Sequence, residues 1–91
     1  MVYINMRLNL ESYDKWHAGF DANDSFRRAS GSTGVNQVYR DVDNPNAVSL
    51  TLEWEDAGKA QAFLSDSKLK EVMQAAGVIG APVIRAIQSR M

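Results

Sequence analysis

The stretch Val2-Tyr3-Ile4-Asn5-Met6-Arg7-Leu8-Asn9-Leu10 decides the fold. Each even-numbered side chain is apolar, while Asn5, Arg7 and Asn9 are polar. A repeat of two marks a strand, because successive side chains leave a pleated backbone on opposite faces. The stretch is therefore a first strand whose even face meets a core and whose odd face is wet or covered by a partner. The same alternation separates it from a signal peptide or a membrane span, both of which need an unbroken apolar run, so a soluble chain is expected.

Downstream the period changes. Ser12 is placed as an N-cap, and Tyr13, Trp16, His17 and Phe20 follow at three- and four-residue spacing, one apolar stripe of a helix lying on the sheet. The stripe loses phase over Asp21 to Asp24, where Asp24 can cap a fresh turn carrying Phe26 and Ala29 that Gly31 ends. Val35–Tyr39 reads as a second strand. Ala47–Trp54 reads as a third, with Val48, Leu50, Leu52 and Trp54 alternating with Ser49, Thr51 and Glu53. The polar cluster from Asp41 to Asn46, with Pro45 inside it, joins these two as an antiparallel hairpin.

Asp56 then caps a second helical region with Ala57, Ala60, Phe63 and Leu64 inward. Ser67 restarts it, Leu69, Val72, Met73 and Ala76 continue its apolar side, and Gly77 stops it. After a turn at Gly80-Ala81-Pro82, Val83–Ile87 makes a fourth strand. Strand, helix, hairpin, helix, strand is the ferredoxin-like βαββαβ pattern of an α+β domain with a four-stranded antiparallel sheet, one domain over residues 1–91. By the right-handed crossover rule the first and third strands are expected side by side and parallel at its centre. That arrangement sets Arg7 level with Glu53 on the outer face, an opposite-charge pair that a second sheet is able to cover.

Composition removes several functions. The chain has no cysteine, which excludes disulfides and thiolate chemistry and makes the cytoplasm the expected location. Ten basic and eleven acidic residues balance, and no basic run exceeds Arg27-Arg28, so no nucleic-acid partner is expected. A single histidine cannot hold a metal, and none is expected.

Taken together, Val38-Tyr39-Arg40-Asp41 leading into Asp43-Asn44-Pro45-Asn46, then Leu52-Glu53-Trp54-Glu55-Asp56, a helix with Ala-x-x-Phe-Leu, and Ala76-Gly77-Val78-Ile79-Gly80-Ala81-Pro82 resemble the antibiotic biosynthesis monooxygenase-like superfamily. The resemblance spans nearly the whole chain and is nearest to small uncharacterised members loosely labelled cyclase or monooxygenase. It implies a dimeric α+β barrel in which two sheets pack face to face, hence a homodimer through the outer sheet face. It also implies two activities. Cofactor-independent oxygenases of aromatic polyketide formation use Asn, Trp and aromatic or histidine side chains between sheet and helices, and Trp54 matches the tryptophan at the end of the third strand. Haem-degrading members need an asparagine where this chain has Met6, with Asn5 on the opposite face, and a histidine on the second helical region, which has none. Haem degradation is disfavoured, and no cofactor is expected.

Among candidate residues, His17 is the natural general base, with Tyr13 beside it, since histidine exchanges protons near neutral pH. Its place on the stripe aims it inward. The other reading is a helix-face histidine packed beneath a loop and bonded to backbone. Trp16, Trp54, Phe20 and Met6 are the expected walls of an apolar ligand pocket, or else plain core. Arg40 is expected to pair with Asp41 or Asp43 rather than to receive a carboxylate ligand. Glu53 leaves the strand opposite Trp54 and Asp56 caps a helix, so a paired-acid glycosidase is excluded. Two functions stand side by side: a cofactor-independent monooxygenase- or cyclase-like enzyme acting on a hydrophobic aromatic molecule, and a non-catalytic dimeric module for small-ligand binding or assembly.

Overall fold

In the structure, a computed structural model that describes residues 1–89, the even side chains of the first strand are all buried, Ile4 completely. The elements run β1 (Val2–Leu10), α1 (Tyr13–Ala22), α2 (Asp24–Ala29), β2 (Ser32–Arg40), β3 (Ala47–Trp54), α3 (Ala57–Leu64), α4 (Ser67–Ala75) and β4 (Val78–Gln88). The sheet is antiparallel throughout in the order β2-β3-β1-β4, an α+β ferredoxin-like architecture. The even face of β1 and the Val48, Leu50, Leu52 and Trp54 face of β3 pack with Trp16, Ala60, Phe63, Leu69 and Ala76 from the helices in one core.

Sequence chemistry sets the helix ends. The Ser12 hydroxyl accepts from the Lys15 amide at 3.4 Å, Asp56 Oδ1 accepts from the Lys59 amide at 2.7 Å, and Asp66 Oδ1 accepts from the Lys68 amide at 2.9 Å. The break expected after Phe20 is present, with Asn23 rather than Asp24 as the cap of the second piece, and α4 restarts at Ser67 as expected, with Asp66 as its cap. Ala57, the first residue of α3, is exposed instead of inward.

Three expectations about the sheet are corrected. β1 and β3 pair antiparallel, not parallel. The right-handed crossover relates β1 to β2, and β3, joined to β2 by a hairpin and inserted between them, must oppose both. Register follows direction, so Arg7 faces Ser49 and Glu53 faces Tyr3, and the Arg7–Glu53 pair does not form. Arg7 instead donates to both carboxylate oxygens of Asp41, with Nη1 at 2.8 Å, and Glu53 accepts from the Thr33 hydroxyl at 2.9 Å.

Second, Gly80-Ala81-Pro82 is not a turn ahead of the last strand but a bulge inside it. The pairing jumps from Asn9↔Ile79 to Arg7↔Val83, so residues 80–82 oppose Leu8 alone. Gly80 supplies a positive φ of 70°, and β4 is an edge strand, where a proline's missing N–H is tolerated. Third, β2 starts at Ser32 instead of Val35, with its register irregular up to Asn36.

Candidate functional site

Between the sheet and the helices lies an apolar cavity of about 50 Å³ that is open on one side. Met6 and Leu8 of β1 and Leu50 and Leu52 of β3 form its floor. Its walls are Trp16 and Phe20 of α1, Phe26 of α2, Phe63 of α3, and Leu69, Val72 and Met73 of α4. Strand alternation delivers the floor and three- and four-residue helical spacing delivers the walls. Gly19 and Ala76 close one end, and a Cβ on Gly19 would come within 3.1 Å of the Ala76 Cβ, so the glycine sets how near α1 lies to the end of α4. The rings touch in two pairs, Trp16 with Phe20 at 5.0 Å and Phe26 with Phe63 at 5.4 Å between centroids.

Two polar side chains line this space, Asn23 and Arg27. Asn23 Nδ2 donates to the Gly19 carbonyl at 2.8 Å and so steadies the break between α1 and α2. The Arg27 side chain is only 7 % exposed. Its Nη1 donates to the Phe20 carbonyl at 2.7 Å, near the end of α1, where a cation is favoured. Its guanidinium lies over the Phe20 ring, 3.8 Å from the centroid. Burial pulls the Arg27 pKa below the usual arginine value, with Asp24 and Asp21 opposing the shift and Arg28 adding to it. Among the described residues, Arg27 Nε and Asn36 Oδ1 are the buried side-chain polar atoms without a hydrogen-bond partner.

The residues singled out from sequence separate into two groups. Met6, Trp16 and Phe20 come together around the cavity. Trp54 lies one layer behind it, fully buried, with Nε1 donating to the Ser30 carbonyl at 3.1 Å and its ring 4.6 Å from Phe63. Tyr13 sits outside the cavity under the Arg40 guanidinium, 3.8 Å from its centroid. His17 does not aim inward: its side chain is 49 % exposed, stacks on Tyr13 at 5.6 Å, and holds Nδ1 3.6 Å from the Asp21 carboxylate. The physical reason is the narrow footprint of a ten-residue helix, which buries Trp16 and half-buries Tyr13 and Phe20, leaving a position about 100° round from Trp16 in solvent. Arg40 does not pair with Asp41 or Asp43; its Nε donates to the Pro45 carbonyl at 3.1 Å, and Asp41 is taken by Arg7.

Arg27 was not among the expected site residues, since Arg27-Arg28 reads as a short surface run. A signal for it exists: Trp16, Phe20, Asn23 and Arg27 follow at spacings of four, three and four, one continuous helical stripe across the break.

On the opposite sheet face the apolar side chains concentrate at the edges. Tyr39 shares a cross-strand row with Ser49, Arg7 and Val83, and Ile87 pairs with Tyr3. Val35, Tyr39, Ile79, Val83 and Ile87 are all exposed. Among the described residues no group of three or more His, Cys, Asp or Glu side chains could hold a metal ion, and no helix is long and apolar enough to cross a membrane.

No family model matches the chain, and no curated protein matches it in sequence. Solved structures do. SnoaB, a cofactor-independent oxygenase from Streptomyces nogalater, superposes with a TM-score of 0.75 at 14 % identity, covering 99 % of this chain and 93 % of that one. An antibiotic biosynthesis monooxygenase superposes with a TM-score of 0.70 at 9 % identity over the whole of both chains. A conserved protein from Methanosarcina mazei Go1 superposes with a TM-score of 0.64 at 15 % identity, covering 98 % and 92 %. At such identities the likeness is one of fold, and over nearly its whole length this chain has the fold of the antibiotic biosynthesis monooxygenase-like proteins.

Proposed function

We propose that this domain, residues 1–91, holds a hydrophobic aromatic small molecule between its helices and sheet and acts on it as a cofactor-independent, cytoplasmic monooxygenase. The observation that carries the reading is the ring-lined apolar space, where Trp16, Phe20, Phe26 and Phe63 surround a floor of aliphatic side chains. At about 50 Å³ the space is below the roughly 300 Å³ of a typical ligand pocket, so binding requires its walls to move. Met6 and Met73 are unbranched and repack readily, and Phe20 is partly exposed. SnoaB's chemistry comes to this chain by likeness of fold alone. In the proposed reaction the ionised phenol itself reduces dioxygen: a ring C–H becomes a quinone carbonyl that keeps one oxygen atom, the other oxygen leaves as water with the two protons lost by the ring and the hydroxyl, and the protein contributes placement and an apolar cavity shaped by Trp16 with Trp54 behind it. His17, with Tyr13 stacked against it, lies outside the cavity at the outer side of α1, so it takes the proton only from a substrate whose ionisable group protrudes past that side of the helix.

The test is oxygen uptake by the purified protein with a polycyclic phenol. Turnover that falls by about two orders of magnitude in His17→Ala, with the fold intact, is the expected result. Turnover unchanged in that variant removes His17 as the base, and no uptake with any such phenol removes the oxygenase. A second reading has its own observation. None of the side chains lining the cavity is a base at neutral pH, and His17 faces solvent, which favours a non-catalytic binding or assembly module. For that module an aromatic ligand raises the melting temperature and is recovered unconverted.

In either case the working form is a homodimer, its outer sheet faces packed together. The exposed Tyr39 on one edge strand and Val83 and Ile87 on the other support the proposal, because large apolar side chains left in solvent on one sheet face are covered when a second sheet packs on it.

A further inference from the structure

We infer that Arg27 is the anion-receiving residue of the cavity, so that its ligand is an aromatic molecule bearing an anionic oxygen, a carboxylate or an ionised phenol. The inference rests on the ligand-holding cavity proposed above and adds the charge of what enters it.

A guanidinium removed from water is costly unless its donors are paired. Arg27 is buried to this degree with little pairing. Nη1 has the Phe20 carbonyl. Nη2 lies 3.7 Å from Asp24 Oδ1, beyond hydrogen-bond length, while Asp24 Oδ2 is engaged by Arg28 Nε at 2.8 Å. Nε is buried and has no partner among the described residues. If Arg27 served only to cap the end of α1, Nη1 alone would suffice, and burying Nε, the one donor of the fork that is both buried and unpaired, would gain nothing. Instead the fork is held in the cavity wall by the Phe20 face beneath it, one of the rings that an aromatic ligand would meet. Planar donors fixed beside aromatic rings match a ring that carries a carboxylate or phenolate oxygen. A neutral ligand leaves those donors unpaired, and a site built to hydrogen-bond discriminates strongly against it.

The test is a pair of titrations on the intact protein, followed by tryptophan fluorescence, since Trp16 lines the cavity. In one arm 2-naphthoate is compared with 2-naphthamide, and in the other ionised 4-nitrophenol is compared with 4-nitroanisole; the arm with the larger preference says whether the oxygen is carboxylate or phenolate. The wild type is expected to bind an anion about tenfold or more tightly over its neutral analogue, as charge-assisted hydrogen bonds imply. The preference should persist in about 1 M salt, where exposed cations such as Arg28 are screened within ~3 Å. Arg27→Met should bind anion and neutral analogue alike, at the affinity of the neutral one. Should that variant fail to fold, the wild-type comparison in high salt decides. Equal binding of anion and neutral analogue by the wild type, or a preference that salt abolishes, overturns the role of Arg27 and leaves the aromatic cavity standing. No binding of either member of either pair overturns the cavity reading and this inference with it.

Discussion

Trp54 illustrates why a residue can be conspicuous in sequence and still stand behind a site. Its ring is fully buried, and its single donor is committed to the Ser30 carbonyl that ends α2. Trp54→Phe keeps a ring but leaves that carbonyl unpaired and a gap beside Phe63. A loss of about 1–3 kcal/mol in chemical denaturation is expected, with ligand affinity changed far less than by Phe20→Ala. At the opposite extreme is the exposed Arg7–Asp41 pair. The hydrogen bond from Arg7 holds the Asp41 carboxyl below the usual aspartate range. Its folded pKa is therefore below the unfolded one. The pair's stabilisation is fully present above the ordinary aspartate range and is lost as pH falls through the folded value. Asp41→Asn should accordingly lower the melting temperature slightly at neutral pH and not at all once the wild-type carboxyl is protonated, as thermal melts across acid pH would show. Met6, Trp16 and Phe20 were legible from alternation and helical spacing. His17 was not, because spacing gives a stripe but not its width, and Arg27 was not, because charge argues for solvent until the packing above it is known.

Among the elements, β4 carries the clearest lesson. Gly-Ala-Pro reads as a turn because its glycine and proline favour one, yet the chain continues as an edge strand through a bulge, where those same residues cost little. Neighbouring context, not composition, separates the two outcomes. Gly80 and Gly31 make a matched test. Both have positive φ, 70° and 121°. A Cβ at Gly80 meets nothing within 4 Å, whereas one at Gly31 falls 2.7 Å from Trp54 Nε1. Gly80→Ala should cost about 1–2 kcal/mol, the backbone strain alone. Gly31→Ala should cost more, and should blue- or red-shift Trp54 emission as the indole is displaced; equal costs in urea denaturation would contradict the packing described here.

For the whole molecule, the alternation in each of four segments and the apolar stripes between them were enough to give the number and order of strands, helices on one side and a wet face on the other, though β2 and β4 begin earlier than those segments. Strand direction and register were not, because alternation says which face a side chain takes but not which residue it meets across the ladder. The proposed dimer follows from that second face. Val83→Asp, at the β4 end of the Tyr39–Ser49–Arg7–Val83 row, should leave the circular dichroism of the domain unchanged and convert a sedimenting dimer to a monomer; a wild type that sediments as a monomer at micromolar concentration would remove the interface. The cavity is the other product of the same two-faced strand. Met6 and Met73 both line it, while Met1 lies exposed at the start of the chain, so methionine methyl labelling distinguishes entry from surface contact. In a methyl NMR titration with 2-naphthoate, the Met6 and Met73 signals should shift together and saturate while that of Met1 stays in place. Shifts at Met1 with none at Met6 and Met73 would contradict the cavity as the ligand site.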